Sequence, residues 1–189
     1  MSTQIAMLDA CVLYSASLRD LLMFLAKGNL FRARWTDTIQ DEWIRSLLRN
    51  RPGLKRERLE RTRSLMNSSI RDCLVTGYED IVETLALPDP DDRHVLAAAI
   101  KAEASVIVTF NTSDFPADYV ETFGVSAQHP DDFVAHLIDS KPEAACAAVR
   151  QHRQNLLKPS KTVEQYLATL SNQRLPETVL RLRKYAEFI

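Results

Sequence analysis

Short apolar segments alternate with amphipathic helical patterns along this chain as far as about residue 139. Ile5–Leu8 is the first such segment, and Val125–Ala127 is the last. Others lie at 30–35, 73–75 and 105–109, and their lengths and β-branched residues are typical of strands. Parallel strands need a crossover connection, which is usually a helix. The alternation therefore predicts a three-layer α/β/α sandwich, in which helices cover both faces of a central parallel sheet.

The pattern changes beyond Pro142, where only helical periodicity remains. Val163, Tyr166, Leu167 and Leu170 have the spacing of one helical face, and a second helix is indicated over about 175–188. We therefore divide the chain into an α/β domain over residues 1–139 and a helical C-terminal extension over residues 140–189. The sequence assigns no role to the extension.

Composition excludes several classes of protein. No apolar stretch is long enough to span a membrane, and the N-terminus lacks the pattern of a secretory signal, so we expect a cytoplasmic protein. The three cysteines, Cys11, Cys73 and Cys146, are far apart, which argues against a disulfide framework and a structural zinc site. The four histidines have no metal-ligand spacing, and we interpret them as surface or packing residues. No G-x-G-x-x-G motif follows a strand, which argues against a dinucleotide-binding enzyme.

Carboxylates stand next to the predicted strands at one edge of the sheet. Asp9 directly follows the first strand, and Asp114 comes shortly after the strand at 105–109. Asp92 begins the helix that leads into that strand, and Glu42 lies in the first turns of the helix after the second strand. Active sites of open parallel sheets lie beyond the carboxyl ends of the strands. We therefore expect these four side chains to converge.

Converging carboxylates repel one another and favour a bound cation. Two unit charges about 4 Å apart cost about 4 kcal/mol at an effective dielectric of about 20. Oxygen ligands of this kind suit Mg²⁺, with Mn²⁺ as an alternative. The chemistry that such a site supports is metal-assisted attack of water on a phosphodiester.

Each acid also has a purely structural interpretation. Asp92 at a helix N-terminus is suited to capping, Glu42 complements a helix dipole, and Asp114 is suited to a cap or an Asx-turn. Asp9 is the hardest to explain structurally, because it directly follows a buried strand. A phosphatase of the haloacid dehalogenase type needs a second Asp two residues after the first, but Cys11 occupies that position.

Three segments of the chain resemble the PIN-domain family of metal-dependent nucleases, over roughly residues 5–139. Met7–Leu13 resembles the family's apolar strand followed by Asp and small or apolar residues. Ile39–Trp43 resembles the helix with the second acid. Asp89–Ile100 and Ala104–Phe115 together resemble the third acid on an alanine-rich helix, a strand and an Asn-x-x-Asp-Phe segment. The last of these similarities is the most specific.

The resemblance implies roles for the residues at these positions. Asp9, Glu42, Asp92 and Asp114 match the metal-coordinating carboxylates, and Asn111 matches the polar residue that supports them. Asp89 and Asp91 remain alternatives to Asp92 as the third acid. The activity implied is Mg²⁺-dependent endoribonuclease cleavage of RNA. Many similar bacterial proteins are VapC-like toxins of type II toxin–antitoxin systems, so an antitoxin partner and a homodimer are expected.

A basic run beginning at Arg45 and ending at Arg63 offers a surface for phosphates, with eight basic residues against two acids. Arg45, Arg49 and Arg56 are the residues we expect to bind RNA, and a solvated charged helix face is the alternative interpretation. Two other functions remain open: a non-catalytic PIN scaffold that binds protein or RNA, and a PIN-type RNA-processing nuclease without a toxin role. Transfer, ribosomal and messenger RNA are all candidate substrates.

Overall fold

A four-stranded parallel sheet lies at the centre of the fold. The computed structural model describes residues 3–156 and 159–189. The strands are β1 (Ile5–Leu8), β2 (Arg32–Arg34), β3 (Val106–Val108) and β4 (Ser126–Gln128), in the order β2-β1-β3-β4. Met7 lies opposite Arg34 in β2 and Ile107 in β3, which fixes the register at the centre. The predicted α/β fold with a parallel sheet and C-terminal helices is confirmed.

Helices connect these strands and form the C-terminal extension. The described helices are α1 (Ala10–Tyr14), α2 (Ala16–Lys27), α3 (Asp37–Asn50), α4 (Arg56–Ser69), α5 (Glu79–Val82), α6 (Arg93–Lys101), α7 (Ala117–Val120), α8 (Pro130–Ser140), α9 (Pro142–Asn155), α10 (Val163–Asn172) and α11 (Pro176–Arg183). Amphipathic spacing explains the longer ones. In α3, for example, Ile39, Trp43, Ile44 and Leu47 are buried on one face.

Two predicted elements differ from the structure for local reasons. The predicted strand at 73–75 makes only one isolated bridge, between Trp35 and Leu74. It lies between Asp72 and Gly77, whose positive φ angles turn the chain away from an extended path. The helix predicted to begin at Asp92 starts at Arg93, as α6, after a 3₁₀ turn over Pro90–Asp92. Pro90 favours this turn because it has no backbone N–H to donate and suits the first position of a turn.

The strand order creates a switch point between β1 and β3. The chain leaves β1 toward β2 on one side and leaves β3 toward β4 on the other. Right-handed crossovers in opposite directions place helices on opposite faces of the sheet and leave a crevice at the carboxyl ends of the two central strands. Asp9 and Thr109 follow these two strands directly.

The C-terminal extension packs against the α/β part: α9 contacts α2, and α11 contacts α8. Asp131, in the first turn of α8, is buried. Its carboxylate accepts hydrogen bonds from the backbone N–H groups of Glu177 (2.8 Å) and Thr178 (2.7 Å). Asp131 therefore satisfies the free N–H groups at the start of α11, as a capping residue would. The division of the chain at residue 139 stays a prediction.

We expect Asp131→Ala to lower the free energy of unfolding by about 2 kcal/mol, because one buried and one partly buried N–H group at the start of α11 lose a charged acceptor. The exposed neighbour Asp132 provides a matched control, since Asp132→Ala removes a carboxylate from the same helical turn without touching α11. Urea unfolding of the two variants measures the difference. An equal loss of stability in both would contradict the docking role of Asp131.

Candidate active site

Asp9 lies at the carboxyl end of β1, beside the end of β3. Its backbone N–H donates to the carbonyl of Val108 (3.2 Å), which continues the sheet pairing by one residue. The side chain is buried and makes no capping hydrogen bond to α1. Instead its Oδ2 atom accepts from Thr109 Oγ1 (2.7 Å) and from Cys11 Sγ (3.0 Å). The carboxylate is therefore held at the rim of the sheet in a fixed orientation.

Cys11 and Thr109 form the layer that supports Asp9, and the sequence analysis gave neither a role in the site. Burial, followed by the charge of Asp9, raises the pKa of the Cys11 thiol to about 12, so it remains a protonated donor. The backbone N–H of Phe110 donates to Cys11 Sγ (3.2 Å), and that of Asn111 donates to Thr109 Oγ1 (3.0 Å). The position of Thr109, directly after the strand paired with β1, was the available signal.

Asp92 lies within electrostatic reach of two other predicted site residues. Partial burial and then the charges of Asp9 and Asp114 raise the pKa of Asp92 to about 6. Asp89 adds to this rise, whereas His94 opposes it. Asp92 makes no side-chain capping bond to α6, so the capping interpretation is wrong for this residue. The structure thus brings three of the four predicted carboxylates together.

Glu42 joins the site through a histidine. The Nε2 atom of His94 lies 2.8 Å from Glu42 Oε1, so a proton on Nε2 is shared with the carboxylate. His94 is on α6, two residues after Asp92, and Glu42 is on α3. The sequence predicts a surface or packing role for His94, which has no metal-ligand spacing, but the structure places it against Glu42. Its proximity in sequence to Asp92 was the signal that could have identified it.

The remaining acidic candidates and Asn111 are placed differently. Asp89 Oδ1 accepts from the backbone N–H of Asp91 (2.9 Å), so Asp89 caps the short turn before α6. Asp91 is exposed. These placements favour Asp92 as the third acid. Asn111 is exposed at the start of the turn that carries Asp114, and its side chain makes no capping bond there.

The fit of a metal ion depends on donor chemistry and on how many ligands converge. Among the described residues, no group of three or more His, Cys, Asp or Glu side chains is arranged to hold an ion directly. Mg²⁺ usually retains several waters and needs only one or two carboxylates from the protein. The hard oxygen donors of Asp9, Asp92 and Asp114, together with the mutual repulsion seen at Asp92, fit such a hydrated ion.

A cleft of about 1040 Å³ is lined in part by Cys11 and Phe110, whereas none of the four candidate carboxylates lines it. Arg51 and Arg58 of the basic segment also line it. The predicted RNA-binding residues Arg45, Arg49 and Arg56 are exposed, but they do not line this cleft, and Arg56 pairs with Glu60 (3.2 Å). Their role stays a prediction.

We expect Asp92→Asn to raise the free energy of unfolding at pH 7 in EDTA. The carboxylate of Asp92 is destabilising there, because its pKa of about 6 in the folded protein exceeds the ordinary value of 3.8. At about 1.4 kcal/mol per pKa unit, reduced for solvent screening of a half-exposed group, the gain is about 1 kcal/mol. The gain should vanish below about pH 4, where the wild-type carboxyl is neutral in both states.

Thermal unfolding with and without Mg²⁺ is the measurement. Mg²⁺ should raise the melting temperature of the wild type more than that of Asp92→Asn, since binding to the folded state stabilises it. Asp91→Asn, which changes an exposed acid in the same turn, is the control and should change neither quantity appreciably. A lower stability of Asp92→Asn than of the wild type in EDTA would contradict the proposed repulsion.

Comparison with known proteins identifies relatives over most of the chain. A family model described as "PIN domain" matches residues 6–113, and a second, described as "VapC50 C-terminal domain", matches residues 130–184. A curated protein of Mycobacterium tuberculosis named "Putative ribonuclease VapC50" is 34% identical over 108 residues. The aligned stretch covers 57% of this chain and 63% of that protein, which is less than two thirds of the relative's length. No solved structure was found to match the chain.

The first of these matches spans more than half of the 189 residues. It includes β1, β2 and β3 and the candidate residues Asp9, Glu42 and Asp92, and it ends one residue before Asp114. No helix in the described part of the chain has both the length and the apolar content to cross a bilayer. On the strength of the match and the parallel sheet with carboxylates at its switch point, the chain belongs to the PIN domain family.

Proposed function

We propose that this protein is a Mg²⁺-dependent endoribonuclease that hydrolyses RNA phosphodiester bonds. The observation that carries the proposal is the buried Asp9 carboxylate at the carboxyl end of β1, where Thr109 and Cys11 donate to it. The raised pKa of Asp92, caused by burial and by the charges of Asp9 and Asp114, supports it. A site that gathers negative charge at the switch point of a parallel sheet is suited to a cation and a phosphate. The relative's printed name, which includes "ribonuclease", supports RNA as the substrate.

Asp9, Glu42, Asp92 and Asp114 are the residues that would hold the ion, Mg²⁺ in preference to Mn²⁺. When bound, the ion supplies a water of lowered pKa and neutralises charge on the scissile phosphate. With water as the nucleophile and the 3′-oxygen as the leaving group, hydrolysis breaks the P–O3′ bond and leaves a 5′-phosphate and a 3′-hydroxyl.

The protein's own contribution is to fix the carboxylates before substrate arrives. Thr109 and Cys11 both donate to Oδ2 of Asp9, which leaves its Oδ1 without a hydrogen bond from the described residues. His94 holds Oε1 of Glu42 in the same way. Such supporting hydrogen bonds orient ligands and limit their movement during the reaction. Asn111, next to this layer, would assist through its amide.

The biological role that we propose rests on the same family. We propose that it is the VapC-like toxin of a type II toxin–antitoxin pair, acting on cytoplasmic RNA and held inactive by a cognate antitoxin. A homodimer is the expected assembly. The match to the model described as "VapC50 C-terminal domain" supports a VapC-like protein. The two alternatives, a non-catalytic scaffold and a processing nuclease without a toxin role, make different predictions in the experiments below.

Purified protein should cut total RNA at discrete positions with Mg²⁺, and EDTA should abolish the cleavage. Asp9→Asn and Asp114→Asn are expected to reduce the rate at least about a hundredfold, since each removes a charge from the site. Asp118→Asn is a matched control, because Asp118 is exposed on the neighbouring α7 and should leave the rate unchanged. Sequencing of the cleaved ends should find a 5′-phosphate.

Three results would count against the proposal. A 2′,3′-cyclic phosphate product would show that the ribose hydroxyl, not water, is the nucleophile. Cleavage that persists in EDTA would exclude the metal. Absence of cleavage with any divalent metal, in protein shown by mass spectrometry to carry no inhibitor, would favour the scaffold.

The toxin role is tested by growth. Induced expression of the wild type in a bacterial host lacking the antitoxin should arrest growth, and Asp9→Asn and Asp114→Asn at the same protein level should not. Co-expression with the product of the adjacent gene should restore growth. RNA cleavage in vitro without growth arrest would favour the processing nuclease instead.

A further inference from the structure

The turn between α10 and α11 brings a cation from the C-terminal extension to the site. The guanidinium of Arg174 lies 4.9 Å above the ring of Phe110. Phe110 directly follows Thr109, and its backbone N–H donates to Cys11 Sγ, which in turn donates to Asp9. A residue 165 positions after Asp9 in sequence thus lies against the segment that supports the Asp9 carboxylate.

Several contacts fix this turn in place. Leu175, the next residue, is completely buried, and Asp131 binds the N–H groups that begin α11. Gln173, the preceding residue, accepts a hydrogen bond from Ser15 on the α/β part. His129, at the N-terminus of α8, packs edge-on against Phe110 with ring centroids 5.1 Å apart. The residues before and after Arg174 are therefore both anchored, which fixes the position of its backbone.

Arg174 is exposed, and its charge is not neutralised by a carboxylate. Two other arginines of the extension are paired: Arg181 with Asp139 and Glu177, and Arg183 with Glu164. The ion pairs found among residues 3–156 and 159–189 do not include Arg174. An arginine stacked on an aromatic ring keeps its N–H groups free at the edge of the guanidinium, where they can bind a phosphate.

Arg174 also belongs to the wall of the 1040 Å³ cleft. The charged residues of that wall are predominantly basic: Arg19, Lys27, Arg51, Arg58 and Arg174, with Asp20 as the acid. Phe24 and Met66 lie among them. A cationic groove with interspersed apolar and aromatic side chains is typical of sites that bind single-stranded nucleic acid. The cleft reaches the layer that supports the site at Cys11, whose thiol donates to Asp9.

We propose that Arg174 binds a phosphate of single-stranded RNA at the point where the cleft meets the active site, so that the C-terminal extension completes the substrate-binding site. The proposal rests on the nuclease function proposed above. A polyanion passing the carboxylates is repelled by them, and a fixed cation beside Phe110 offsets that repulsion. Arg51 and Arg58 bind the same strand farther along the cleft.

The first test measures binding without cleavage. In the Asp92→Asn background in EDTA, fluorescence anisotropy of a labelled 12-nucleotide RNA of random sequence gives the affinity. Adding Arg174→Ala should weaken binding about tenfold and reduce the slope of log affinity against log salt by about one. Arg174→Lys should restore part of the affinity, because it keeps the charge but not the planar fork. Melting temperatures confirm that the variants are folded.

Arg150→Ala is the matched control. Arg150 is exposed on α9, within the extension, and it does not line the cleft. Its replacement should leave the affinity within about twofold, since a distant charge contributes little at moderate salt. In the active enzyme, Arg174→Ala should raise KM for RNA more than it lowers kcat, which a merely structural loss would not do.

Equal RNA affinity of the Arg174→Ala and control variants would overturn the proposal. So would a loss of affinity for a poly-glutamate peptide with RNA binding unchanged, which would make the cleft a site for an acidic protein segment. Failure of the nuclease function is distinguishable, because it would appear as absent cleavage in a wild type that still binds RNA through Arg174. Absent binding of the RNA probe by every variant would overturn this inference directly.

Discussion

The pairing of β1 with β3 is the interaction on which the site depends. It sets Leu8 opposite Val108, so Asp9 and Thr109 leave the sheet side by side. The hydrogen bond from the Asp9 backbone to Val108 extends this pairing to the candidate site residue itself. A slip of one residue would turn the side chains of β1 to the other face and separate Asp9 from its hydroxyl donor. The position of Asp9 is thus determined by the core, where β1 and β3 are almost completely buried.

The negative charges gathered near Asp9 lower the stability of the folded protein and suit a bound cation. Burial and like charges raise the pKa of Asp92, which means that its ionised form is destabilised in the folded protein near neutral pH. The surrounding core is large enough to tolerate this, since it includes the fully buried Trp35, Phe133 and Tyr166. Unfavourable charge at a rigid position is typical of a site prepared for a cation, because the ion then gains energy by relieving the repulsion.

The sequence predicted the helices and strands that have strong hydrophobic periodicity, together with the residues that follow the strands. Alternating apolar segments were sufficient to predict the sheet, and the rule for strand ends identified Asp9 and Asp114 as candidates. Two kinds of feature could not be predicted. The prediction of a strand at 73–75 was wrong because residues with positive φ angles flank this segment. A residue type such as Asp72 does not reveal its φ angle. His94 and Thr109 were missed because their roles depend on partners distant in sequence, Glu42 and Asp9.

The C-terminal extension is the part of the chain whose role is hardest to infer without its three-dimensional contacts. Its helices had the pattern of an appendage, yet the buried carboxylate of Asp131 ties the start of α11 to α8 through two hydrogen bonds. The exposed ion pair between Arg181 and Asp139, which joins the same two helices, contributes little stability. A buried charged acceptor that serves another segment's backbone is costly to lose, so the two segments are constrained to one relative position. Because the two segments are held in one relative position, the exposed side chain of Arg174 stays next to the ring of Phe110.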